Sequence, residues 1–206
     1  MLGFYNYTVI LTYLGMLISF AGITFALHEN TLAALICLMI SGVCDMFDGK
    51  IASTKERTAR EKSFGIQIDS LSDIICFGVL PTIIVYIISN GNIVGICFSG
   101  FYLLCSLIRL AYFNVDEEER QSQTQAPREA YLGLPITTAA LTLPALVGLG
   151  RLCSLPLDII CPVALLLIAV ALISPFHLKK PKLLGKICLL LCGAAELIIL
   201  LVEVAA

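Results

Sequence analysis

The sequence predicts an all-α, polytopic membrane helical bundle with six to seven transmembrane helices, and three observations lead there. Of its 206 residues, 59% are hydrophobic and only 14% are charged, a balance that excludes an ordinary soluble domain. Long uncharged runs alternate with short polar connections. The lysines and arginines gather in alternate connections, as they do when one side of a membrane is cytoplasmic.

The first apolar run, near 5–27, has no basic leading region and no small-residue cleavage site, so it reads as a retained span rather than a signal peptide. The second, near 30–50, ends among Asp45, Asp48 and Lys50, and the connection after it adds Lys55, Arg57, Arg60 and Lys62. Spans three and four lie near 66–88 and 92–113. The connection behind them holds Arg120 and Arg128, with Asp116 to Arg120 read as a solvated helix extension and Gln121 to Gln125 as a lid candidate. Spans five and six lie near 132–150 and 156–175, followed by Lys179, Lys180, Lys182 and Lys186. The seventh, near 183–203, is interrupted by Lys186, Glu196 and Glu203. Glu196 there pairs with a lipid head group or another subunit, or marks a tilted helix.

Eleven of the thirteen basic residues fall on one side, which is therefore expected to be cytoplasmic, and seven spans put the N-terminus there and the C-terminus outside. One membrane domain over 1–206 is expected, with membrane lipid as a partner and no nucleic acid. The nine cysteines form no CxxC pair and fall mostly in apolar runs, so they read as small buried hydrophobes.

Four aspartates stand out against this background. A central intramembrane Asp costs roughly 2.5 to 3.5 kcal/mol on insertion scales, so four unpaired ones cost on the order of 10 kcal/mol. Their spacing is i,i+3 for Asp45 with Asp48 and i,i+4 for Asp69 with Asp73, which puts each pair on a single helix face. From Thr31 to Asp48 a helix rises about 26 Å, close to the hydrocarbon thickness, which places the carboxylates just beneath the cytoplasmic interface. That depth suits a substrate with acyl chains in the bilayer and a charged head at its edge. Four carboxylates balance two divalent cations, and hard oxygen ligands favour Mg²⁺ or Mn²⁺ over zinc. A paired-metal site suits phosphoryl transfer. A salt-bridged polar core is the competing account, but basic partners within the spans are almost absent. Gly49 directly after Asp48, and Gly65 on the face of Asp69, leave room for a ligand against backbone.

The run Asp45-Met-Phe-Asp48-Gly49-Lys-Ile-Ala52, followed by Gly65-Ile-Gln-Ile-Asp69-Ser-Leu-Ser-Asp73, resembles the signature of the CDP-alcohol phosphotransferase family. That signature is D-x-x-D-G-x-x-A-R, a spacer, then G-x-x-x-D-x-x-x-D. The resemblance implies that Asp45, Asp48 and Asp69 bind metal and that Asp73 joins the metal site and acts as general base. It also implies that Gly49, Ala52 and Gly65 line the nucleotide pocket, and that the molecule is a homodimer. The chain departs from the pattern at Ser53, where the family has arginine, and its spacer to Gly65 is longer. Lys50, Arg57, Arg60 and Lys62 are the candidates to replace that contact.

Two further runs, Ile108-Arg109-Leu-Ala-Tyr112-Phe-Asn114 and Gly133-Leu134-Pro135, are similar to stretches of the phosphatidylserine synthase branch, although Tyr112 stands where that branch often has arginine. The implied reaction joins CDP-diacylglycerol and L-serine, with Arg109, Asn114 and Lys62 on the substrate and phosphate side. Arg109 alone fits serine better than an acceptor carrying its own phosphate. Inositol phosphate or glycerol phosphate as acceptor is the alternative within this chemistry. An ion transporter with an acidic site is the alternative outside it, and Asp-rich prenyltransferases have other aspartate spacings.

Overall fold

A computed structural model describes residues 3–123, 130–179 and 183–205. Its helices are α1 (Ile10–Leu27), α2 (Thr31–Ala52), α3 (Ala59–Asp73), α4 (Leu80–Ile88), α5 (Ile93–Gln123), α6 (Ala139–Leu152), α7 (Leu157–Ile173) and α8 (Leu183–Ala205). A π-helical turn, Ile74–Val79, joins α3 to α4 without a break, so the eight helices form seven rods. Five helical segments among the described residues are long and apolar enough to cross a membrane, and Ile136–Leu152 and Leu157–Ile173 are shorter apolar helices. The protein is an all-α membrane bundle, as expected.

Local chemistry fixes where the rods begin. Asn30 caps α2 by accepting from the Ala33 amide at 3.1 Å, and Asn92 accepts from the Gly95 amide at 2.7 Å at the start of α5. Thr58 and Glu61 form a capping box at α3. That box starts the third rod at Ala59, well ahead of the expected 66, because hydropathy does not register a charged first turn. The fourth rod likewise continues past 113 to Gln123. Gln121 to Gln123 therefore extend a helix rather than form a lid, and positions 124 and 125 lie outside the described residues.

Packing is closest between α1 and α2, along a stripe of small residues. Thr12, Gly15, Ser19, Gly22 and Ala26 are the buried residues of α1. A Cβ on Gly22 would stand 2.8 Å from Cys37 Cβ, so the two backbones approach as closely as glycine allows. Across the same seam the Ser19 and Ser41 hydroxyls meet at 2.7 Å, and Ser41 donates to the Gly15 carbonyl at 3.0 Å. Cys37, Cys76, Cys105 and Cys161 are buried, as the reading of small hydrophobes expects, whereas Cys97, Cys153, Cys188 and Cys192 are exposed on the bundle surface.

The core continues through Leu35, Leu38, Phe77, Leu80, Ile84, Tyr102, Leu143 and Leu165, all buried. Pro81 has no N–H to give the Phe77 carbonyl four residues earlier, and the buried Tyr102 hydroxyl donates there instead. One short antiparallel pair departs from the purely helical expectation: β1 (Ala130–Leu132) against β2 (His177–Lys179), with Tyr131 opposite Leu178. Gly133 follows it at φ +72°, where a Cβ would lie 2.6 Å from the Leu172 carbonyl oxygen.

Candidate active site

The carboxylates meet where the last turns of α2 pass the last turns of α3. Single carboxylate oxygens of Asp45, Asp48 and Asp69 all lie within 4.8 Å of one another. Asp73 stands beside this triad, its carboxyl next to that of Asp45, and the Asp48 and Asp69 carboxyls are likewise neighbours. Asp48 is buried, and the Thr12 hydroxyl of α1 donates to its Oδ2 at 3.3 Å. Directly after Asp73 the chain enters its π-helical turn, a local widening frequent at functional sites.

This donor set fits hard divalent cations. It offers only carboxylate oxygens, from two helices, at separations one small cation can bridge. Paired carboxyls without such a cation would have to share protons or repel one another. Lys186 of α8 neighbours both Asp45 and Asp48 and donates to the Met46 carbonyl at 3.2 Å.

A cavity of about 640 Å³ opens beside the triad, lined by Asp48, Gly49, Ala52, Gly65 and Asp69 together with Arg57, Lys62, Glu118 and Arg120. Gly49 has nothing within 4 Å of where a Cβ would sit, so its backbone faces open space. Gly65 is different, since Arg57 Nη1 lies 3.0 Å from its Cβ position. Six site residues beside the aspartates are expected on this side, and four of them, Gly49, Ala52, Gly65 and Lys62, line this cavity. Asn114 instead joins α5 to α3, accepting from Ser70 Oγ at 2.6 Å and donating to Gln67 Oε1 at 3.4 Å.

Arg109 is placed elsewhere. It is buried, 8% exposed, on the face of α5 turned toward α7, where it lines a second cavity of about 300 Å³ with Tyr112, Phe113, Asp116 and Leu172. Thr12 and the contact of Lys186 with α2 are absent from the sequence reading, and Glu118 and Arg120, read there as part of a solvated helix extension, line the cavity instead. Thr12 had a readable signal, the spacing of small and polar residues along α1.

The fold and the carboxylate site define a helical membrane protein with an acidic centre able to hold divalent cations, and comparison with known proteins gives the family. The sequence profile of the CDP-alcohol phosphatidyltransferase family matches residues 5–176, and the chain belongs to that family. It is 32% identical over 130 residues to a CDP-diacylglycerol–serine O-phosphatidyltransferase of Helicobacter pylori, covering 62% of this chain and 49% of that one. It is 34% identical over 108 residues to the protein of the same name from Saccharomyces cerevisiae, covering 51% and 38% respectively. An archaetidylserine synthase of Methanothermobacter thermautotrophicus is 29% identical over 154 residues, covering 74% and 60%. The chain thus spans about half the length of the curated relatives it matches.

Proposed function

We propose that this chain transfers the phosphatidyl group of CDP-diacylglycerol to L-serine, giving phosphatidylserine and CMP. The observation that carries the reading is the convergence of Asp45, Asp48, Asp69 and Asp73 beside a cavity that Gly49, Ala52, Gly65 and Lys62 also line. The relatives, which are CDP-diacylglycerol–serine O-phosphatidyltransferases, suggest the acceptor.

In this reading Asp45, Asp48 and Asp69, with Asp73 adjoining, would hold two divalent cations, Mg²⁺ or Mn²⁺. When bound, these neutralise the pyrophosphate and the departing CMP oxygen. Asp73 takes the proton of the serine hydroxyl, and the freed oxygen forms the new bond to the phosphorus that carries diacylglycerol. The bond from that phosphorus to the CMP oxygen breaks, and the proton stays on the Asp73 carboxyl. Thr12 holds Asp48 in orientation from behind. Open space over Gly49 and the small side chain of Ala52 admit the nucleotide. Lys62 belongs to the substrate side of the cavity, Asn114 braces α5 against the helix that carries Asp69, and Arg109, in its separate cavity, takes no part in this step. Residues 1–206 act as one catalytic membrane domain, in a homodimer. The site faces the cytoplasm, since Lys50, Lys55, Arg57, Arg60 and Lys62 cluster at the same end.

The test offers purified protein CDP-diacylglycerol with Mg²⁺ or Mn²⁺ and, separately, serine, inositol phosphate or glycerol 3-phosphate. Serine-dependent CMP release is expected. Release only with a phosphorylated acceptor would overturn the choice of serine.

A further inference from the structure

The signature the chain resembles has arginine directly after Ala52, and here that position is Ser53. The structure makes Ser53 a helix cap: it is exposed, and its hydroxyl donates back to the Lys50 carbonyl at 2.7 Å. Of the four bases that are candidates to replace that arginine, Arg57 and Lys62 line the cavity, and Lys50 and Arg60 are not among its lining residues. Arg57 differs from Lys62 in being seated. Its Nη1 occupies the space in front of Gly65, 3.0 Å from where a side chain would begin.

The connection is pinned on both sides of Arg57. Before it, the Tyr7 and Thr54 hydroxyls meet at 3.2 Å. After it, the Thr58 amide donates to Glu61 Oε2 at 2.9 Å, and Lys55 reaches the same carboxylate at 3.8 Å. Among the described residues Arg57 makes no hydrogen bond and no ion pair, whereas Arg120 across the cavity is held by Glu117, with Nε donating at 3.0 Å. The cavity thus holds a guanidinium without an internal acceptor together with Asp48 and Asp69. A planar fork of donors sharing a cavity with carboxylates that could hold a divalent cation is matched to a phosphate chain bound between the two.

We propose that Arg57 binds the pyrophosphate of a nucleoside diphosphate ligand in this cavity, and that Gly65 lacks a side chain in order to seat it. The longer connection thereby replaces the contact absent at Ser53, and Lys62 adds charge at the rim. The proposal rests on the phosphatidyltransferase reading.

The test is calorimetric titration of CDP into the purified protein at saturating Mn²⁺, with melting temperatures taken without nucleotide. Arg57→Gln is expected to weaken CDP at least tenfold, and Arg57→Lys to weaken it less, with melting unchanged in both. Gly65→Ala, which pushes the guanidinium aside, should weaken CDP in the wild type and cost nothing further in the Arg57→Gln background. Wild-type affinity in Arg57→Gln overturns the proposal alone, as does a Gly65→Ala loss that adds in full. A wild-type protein that binds no CDP overturns the nucleotide reading itself, and the proposal with it.

Discussion

Lys186 Nζ donates to the Met46 carbonyl at 3.2 Å, which ties α8 to the turn of α2 that carries Asp45 and Asp48. The family match ends at residue 176, so this contact comes from a helix beyond the matched region. A helix whose sequence reads as an interrupted span thus delivers a positive charge to the back of an acidic site.

Two effects of opposite sign follow for Lys186→Met. Without divalent cation, Lys186 offsets the carboxylate charge and completes a hydrogen bond, so its loss is expected to destabilise by about 1.5 kcal/mol, the low end for a charged donor. With cation, the same ammonium repels the ion, so the variant should bind Mn²⁺ more tightly. Melting curves in chelator and an Mn²⁺ titration measure the two effects. A variant that is weaker in both would mean that Lys186 only anchors α8.

Tyr102→Phe is expected to cost about 1 to 3 kcal/mol, because the Phe77 carbonyl that Pro81 leaves open would lose its donor in a water-poor interior. Tyr112→Phe is the control, since Tyr112 is 58% exposed and should melt as the wild type does. Thermal unfolding of both in one detergent checks the difference. Equal melting would mean that the carbonyl finds another donor.

Much of this architecture could be read from the residues. Carboxylate spacing alone brought Asp45 to Asp48 and Asp69 to Asp73, because a helix of fixed pitch leaves no other arrangement of faces. The stripe Thr12, Gly15, Ser19, Gly22 and Ala26 carried the α1–α2 seam just as openly. Arg109 was harder. Its height on α5 follows from sequence, but the direction it faces is set by how α5 rotates against α7, and that depends on packing among distant residues. The same holds for Lys186, whose target lies 140 positions away, and for the β1–β2 pair, whose short strands carry too few residues for a period to emerge. Arg57 was one of four equivalent bases until the capping box and Gly65 gave it a seat.

Asp73 and Asp69 should separate when each is changed to asparagine. Asp69 offers one of the three oxygens that lie within 4.8 Å of one another, so Asp69→Asn removes a ligand and is expected to lower both Mn²⁺ affinity and turnover. Asp73 lies outside that triad and touches it through Asp45, so Asp73→Asn should retain most Mn²⁺ binding while CMP release falls by roughly 10²- to 10⁴-fold, the range for a lost general base. The pair is read out by Mn²⁺ titration and by CMP release with serine on the same preparations. If Asp73→Asn loses Mn²⁺ as completely as Asp69→Asn, Asp73 is chiefly a ligand. If it keeps turnover, the proton leaves the serine hydroxyl by another route.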